Sequence, residues 1–126
     1  MSLKDNNINL VIKGGKVVSP STTMEADIAI SGDKIVAITA PGALPKSINQ
    51  IDAKGRYVLP GAVDSHVHFR EPGYEYKEDW KTGTAAAACG GTTTVFEMPN
   101  TNPPTATISA LQLKQERASK QAYVDY

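Results

Sequence analysis

Apolar positions in the first half of the chain come in short runs cut by turn residues. Ile8 to Ile12 forms one run, which meets the turn signal Lys13-Gly14-Gly15-Lys16 before Val17-Val18. Residues 26–30 alternate small or apolar with polar side chains, and Ser31-Gly32-Asp33-Lys34 then turns the chain into a second β-type run, Lys34 to Ile38. The pair predicts a β-hairpin whose register Gly32 pins. Pro41-Gly42 and Pro45 interrupt again, and residues 49–52 and 57–59 predict two more short strands. Residues 1–59 therefore read as a small antiparallel β module, too small to bury a large core alone.

Past Pro60 the pattern changes to strand, loop, helix. Ala62-Val63-Asp64 predicts a strand ending in Ser65-His66-Val67-His68-Phe69, followed by a loop centred on Pro72-Gly73. A helix is predicted from about Tyr76 to Cys89, with Trp80, Thr84 and Ala87/Ala88 on one face and Gly90-Gly91 as its stop. Residues 92–98 are β-branched and aromatic, as a buried strand requires. The rigid Pro99 to Pro104 loop leads to a second helix over 108–120, with Ile108, Leu111, Gln115 and Ala118 at helical spacing. Residues 122–126 predict a third strand. Strands alternating with helices mean an α/β fold with a parallel sheet.

Composition narrows the function classes. Thirteen Lys and Arg balance thirteen Asp and Glu. That argues against a nucleic-acid or anionic-membrane partner, either of which calls for a basic surplus. No apolar run approaches the ~20 residues of a membrane span, and Met1 to Asn7 is polar, unlike a secretory leader. The single cysteine, Cys89, forms no internal disulfide and is expected to be a small buried apolar residue; a cytoplasmic protein is the natural expectation.

The chemistry-bearing residues cluster at predicted strand ends. His66 and His68 are the two histidines of the chain. Residues i and i+2 of a strand point to one side, so both imidazoles can converge on an ion such as zinc. Asp64 could orient a ring. The spacing alone leaves a metal site and ordinary surface histidines both open. Arg70, two residues on, could grip a carboxylate through its planar guanidinium, or simply be solvated or paired with Glu71. Asn100, at the end of the next strand, offers an amide donor and acceptor to a substrate, or braces the proline-rich loop. Trp80 and the tyrosines read as packing residues.

Pro60-Gly61-Ala62-Val63-Asp64-Ser65-His66-Val67-His68-Phe69-Arg70-Glu71-Pro72-Gly73 resembles the metal-binding signature of the cyclic amidohydrolases, dihydroorotases in particular. The resemblance continues through Tyr76-Lys77-Glu78, residues 82–87 and 90–93, and ends at Met98-Pro99-Asn100-Thr101-Asn102-Pro103. It implies the start of a metal-dependent (β/α)8 barrel over residues 60–126, preceded by an N-terminal β-sandwich segment over 1–59. Such a barrel takes about 250 residues, so it is incomplete in this chain of 126.

By the same resemblance, His66 and His68 bind the more buried ion of a zinc centre, two ions being expected in the complete enzyme. Arg70 and Asn100 hold the carboxylate of dihydroorotate. The implied reaction interconverts N-carbamoyl-L-aspartate and dihydroorotate in pyrimidine biosynthesis through a zinc-activated hydroxide. Further ligands and the general base are expected beyond residue 126; neither Lys114 nor Asp125 is nominated for them. The expected partners are a small-molecule substrate and the remainder of the barrel, with room for a homo-oligomer. Alternatives are an allantoinase- or hydantoinase-type ureide hydrolase and a non-catalytic dihydroorotase-like scaffold. The 126-residue chain alone is expected to be inactive and poorly stable.

Overall fold

Gly14 decides the shape of the first strand. In the computed structural model, which describes residues 8–45 and 49–126, β1 runs unbroken over Leu10–Val18. The polar Met1 to Asn7 segment thus lies outside the described residues. The predicted turn at Lys13-Gly14-Gly15-Lys16 is instead a bulge, with the register slipping between Ile12 and Gly15 and Gly14 at φ +64°. A glycine takes that conformation without steric cost, so the extra residue is absorbed inside the ladder. Asp27 locks it: its Oδ1 accepts the Gly14 N–H at 2.7 Å, and its Oδ2 accepts the Gly42 N–H at 2.8 Å.

The chain forms two compact units, Met1–Pro60 and Gly61–Tyr126. In the first, β2 (Thr23–Ser31) and β3 (Lys34–Thr39) make the predicted hairpin, closed by Gly32 at φ +59°. The short strands β4 (Gln50–Asp52) and β5 (Tyr57–Val58) lie beside β1. They run parallel to it, whereas β1–β2 and β2–β3 are antiparallel, so the five-stranded sheet is mixed and not the antiparallel module expected. Gly15 permits the close approach of β5, since a Cβ there would lie 2.5 Å from the Val58 side chain. Val11, Ala26, Ile28, Ala29 and Ala53 are buried in this unit, together with Asp27. Asp27 is the polar member of the alternating run, and its two backbone donors explain why it is buried.

In the second unit, β6 (Ala62–Val67) pairs in parallel with β7 (Thr92–Glu97). Helix α1 (Trp80–Cys89) joins them, and α2 (Ile108–Gln121) follows β7. The third predicted strand is reduced to one parallel bridge between Thr94 and Asp125. Helix α1 starts later than the periodicity suggested, because Asp79 caps it: its carboxylate accepts the Thr82 N–H at 2.7 Å. That N–H, with the Thr82 hydroxyl, holds the Asp79 carboxyl below the usual carboxylate range.

The core of this unit gathers Phe69, Trp80, Val95 and Ala118, with Val67, Ala87, Ala122 and Val124 packed around them. Trp80 meets the Phe69 ring edge-on at 5.3 Å between centroids and the Tyr126 ring at 5.4 Å. Of the predicted α1 face, Trp80, Thr84 and Ala87 turn inward, while Ala88 is exposed. Cys89 is exposed too, contrary to expectation. It occupies the last turn, just past the part of the helix that touches the core. On α2 the buried residues are Ala110, Lys114 and Ala118, so of the predicted Ile108–Leu111–Gln115–Ala118 stripe Ala118 is buried while Ile108, Leu111 and Gln115 are exposed. Small side chains at Ala110 and Ala118 fit close packing, and Lys114 is drawn in by polar partners, its Nζ bonding the Glu97 carboxylate and the Met98 carbonyl.

Gly83 lies flat against Phe69: a Cβ at Gly83 would sit 2.3 Å from the ring. Gly83→Ala is therefore expected to destabilise the second unit by about 1–3 kcal/mol, the usual cost of overpacking, despite alanine's better helix propensity. Denaturant unfolding followed by the fluorescence of Trp80, the sole tryptophan, checks it. An increase in stability would show that the helix can lift off the ring.

Candidate active-site cluster at the strand ends

The candidate residues sit where β6 and β7 end. His66 lies inside β6, His68 one residue beyond it, and Asn100 three residues beyond β7. Parallel β/α folds place functional loops at such carboxyl ends. The two imidazoles stand 5.1 Å apart between centroids, at 72° to one another. His66 is exposed and His68 half-buried. Asp64 does not orient a ring; its Oδ1 accepts the backbone N–H of His66 at 3.1 Å.

The structure joins His68 to Asn100. Nδ1 of His68 lies 2.8 Å from Oδ1 of Asn100, across 32 residues of sequence. Asn100 is not the brace of the proline-rich loop. That loop is closed by the N–H groups of Thr101 and Thr105, both donating to the Pro99 carbonyl at 2.9 Å. The buried Thr101 hydroxyl adds a bond to the Pro103 carbonyl at 3.0 Å.

Arg70 stands alone in the backbone. It is the one non-glycine residue with positive φ, +67°, among the described residues. The N–H of Glu71 donates to the Phe69 carbonyl at 2.8 Å, closing a γ-turn around it. Such a conformation costs on the order of 1–3 kcal/mol and persists where its surroundings hold it. The Arg70 guanidinium makes no ion pair or side-chain hydrogen bond with a described residue, so pairing with Glu71 is not its role.

Glu71 is the residue that sequence reasoning missed. It is 3% exposed, and its carboxylate accepts the Trp80 N–H at 3.1 Å and the Gln121 side-chain amide at 3.1 Å. Arg117 lies 3.7 Å away. One buried anion thus ties the Arg70 turn to the amino end of α1, where the helix dipole favours negative charge, and to the last turns of α2. Its position in Arg70-Glu71-Pro72-Gly73 was the only available signal. The neighbouring loops are also joined, the Asn102 N–H donating to the Pro72 carbonyl at 2.9 Å. Gly73, at φ +96°, permits this, since a Cβ there would fall 2.2 Å from the Asn102 carbonyl oxygen.

Imidazole nitrogens suit zinc and related transition metals, so His66 and His68 fit as two ligands of such an ion. Among the described residues no third His, Cys, Asp or Glu joins them in a closed set. No helix of the described residues is long and apolar enough to cross a membrane.

Comparison with known proteins identifies the relatives of the chain. A family model described as dihydro-orotase-like matches residues 55–126. A dihydroorotase of Staphylococcus aureus is 48% identical over 115 residues, covering 90% of this chain and 27% of the relative. A dihydroorotase of Methanosarcina mazei is 43% identical over 115 residues, covering 91% and 25%. Among solved structures, the L-hydantoinase (dihydropyrimidinase) from Arthrobacter aurescens matches with a TM-score of 0.88 at 35% identity, over 94% of this chain and 26% of that one. A D-hydantoinase (dihydropyrimidinase) from a Thermus species matches with a TM-score of 0.77, also at 35% identity, over 93% and 26%. The chain thus spans about a quarter of the length of these relatives. It is a sheet-rich α/β segment, and it belongs to the dihydro-orotase-like family.

Proposed function

We propose that this chain supplies the first part of a dihydroorotase-type hydrolase, which opens and closes a cyclic amide to interconvert N-carbamoyl-L-aspartate and dihydroorotate in pyrimidine biosynthesis. The observation that carries this is the joining of His68 to Asn100, with Arg70 two residues further along the same strand end. The parallel β6–α1–β7–α2 run, with its bridge to Asp125, would begin a (β/α)8 barrel, and the first unit would belong to a β-sandwich. The apolar side chains of Val63, Phe96, Ile108 and Leu111, exposed here, support a continuation that covers them.

His66 and His68 would hold one of two zinc ions, with the remaining ligands from the rest of the polypeptide. When bound, the metal polarises a carbonyl oxygen and provides a nucleophile at neutral pH. Arg70 and Asn100 would bind the substrate carboxylate, one by a planar fork of N–H donors and the other through its amide N–H. The Arg70 turn, held by Glu71, lowers the cost of placing that guanidinium. Substrate and the remainder of the barrel are then the partners, in a cytoplasmic protein that takes no nucleic acid or membrane.

Arg70→Met in the complete enzyme is expected to lower kcat/KM for dihydroorotate by about 10- to 100-fold, mainly through KM, as loss of a charged hydrogen bond implies. Unchanged kinetics would remove Arg70 from the site. The hydantoinase-type reading is favoured by the TM-score of 0.88. Turnover of hydantoin or dihydrouracil in preference to dihydroorotate, with no dependence on Arg70, would select it. No turnover of any cyclic amide by the complete protein would select the scaffold.

A further inference from the structure

We propose that Asn100 is a positioning residue for His68: its side-chain carbonyl holds the imidazole as the Nδ1–H tautomer and leaves Nε2 as the nitrogen free to ligate a metal. This rests on the metal reading given above, and goes beyond it by assigning Asn100 a task before any substrate arrives.

The inference follows from the chemistry of the two atoms. Oδ1 of an asparagine carries no proton, so a 2.8 Å bond to it requires that Nδ1 of His68 be the donor. In a neutral ring the lone pair then resides on Nε2. A histidine in water favours the opposite tautomer, which would leave Nδ1, the nitrogen nearer the backbone, as the ligand. Metal-bound histidines usually donate their second N–H to a carboxylate or carbonyl in this way, which fixes the ring and raises its basicity. The neighbouring His66 ring, 5.1 Å away, is where a second ligand would be needed.

A merely structural role does not account for the bond. Thr101 and Thr105 already close the loop, and Asn100 is exposed, where a neutral hydrogen bond adds little to stability. The bond uses only the carbonyl half of the amide. The Asn100 NH2 group is left to donate to an anion, so one side chain can serve the ligand and the substrate together.

The test uses the intact protein labelled with 15N at the histidine rings, with His68 assigned through a His68→Asn variant. Long-range proton–nitrogen correlation in metal-free protein, at a pH where the ring is neutral, reads the tautomer directly. The expected result is Nδ1–H in the wild type and in Asn100→Asp, which keeps the acceptor, and a shift towards Nε2–H in Asn100→Leu. Zinc affinity by chelator competition is expected to fall about tenfold or more in Asn100→Leu and to stay within about threefold in Asn100→Asp. Nε2–H in the wild type, or a tautomer and zinc affinity that Asn100→Leu leaves unchanged, overturns the proposal. Failure of the metal reading is separately visible. A tautomer that follows Asn100, in a protein whose zinc uptake is indifferent to His66→Asn and His68→Asn, supports the positioning role and overturns the metal centre.

Discussion

Lys114→Met is expected to cost about 3–5 kcal/mol of unfolding free energy, because it strands a buried carboxylate. The side chains of Lys114 and Glu97 are 8% and 3% exposed. Lys114 Nζ bonds Glu97 Oε2 and reaches the Met98 carbonyl at 2.9 Å, while Glu97 Oε1 is buried with no hydrogen-bond partner among the described residues. Removing the ammonium leaves the buried Glu97 carboxylate without its ion-pair partner. Changing both partners, as Lys114→Met with Glu97→Leu, removes the charge and its desolvation together. That double variant should return to within about 1 kcal/mol of the wild type or exceed it. Denaturant midpoints read from Trp80 fluorescence give both numbers. A loss below about 1 kcal/mol in the single variant would mean that water reaches the pair.

The second large effect is expected at Glu71. Glu71→Ala takes the acceptor from the Trp80 N–H and from Gln121, and removes the anion facing Arg117. Hydrogen bonds to a charged group are worth about 1.5–3 kcal/mol each net, and a buried donor left unpaired costs a similar amount, so a loss of about 2–4 kcal/mol follows. Glu71→Gln keeps one acceptor oxygen and should lose roughly half as much. Hydrogen exchange at the Trp80 amide supplies a local readout, and faster exchange in Glu71→Ala than in Glu71→Gln is the expected order. In the complete enzyme Glu71→Ala should also raise KM, since the strained Arg70 turn loses its anchor. Wild-type exchange at Trp80 in Glu71→Ala would show that another group holds the helix start.

How much of this was visible beforehand depends on how far along the chain each cause acts. The β2–β3 hairpin was readable because Gly32 and its neighbours carry the whole turn within four residues. The Gly90-Gly91 stop and the strand over 92–97 were readable for the same reason. The candidate site was half-legible. His66, His68, Arg70 and Asn100 stood out by residue type and motif, but the His68–Asn100 bond spans 32 residues and the Glu71–Gln121 bond spans 50. No local pattern announces such a pair. Asp27 looked like the polar member of an alternating strand, and only the arrival of Gly14 and Gly42 at its two oxygens made its burial tolerable.

The amphipathic stripe of α2 shows the division most sharply. Periodicity correctly predicted a helix there, because helix formation answers to side chains three and four residues apart. It placed Ile108 and Leu111 inward, whereas the structure buries Ala110 and Lys114. Which face turns inward was decided by Glu97 and the Met98 carbonyl on another element, and by small side chains that allow close approach. The amino-acid sequence by itself determined the order of elements, the hairpin and the family motif, all set by short-range chemistry. Tertiary structure alone decided the parallel pairing of β4 and β5 with β1, the buried anions Asp27 and Glu71, and the partner of each candidate side chain, because those depend on groups that only folding brings within bonding distance.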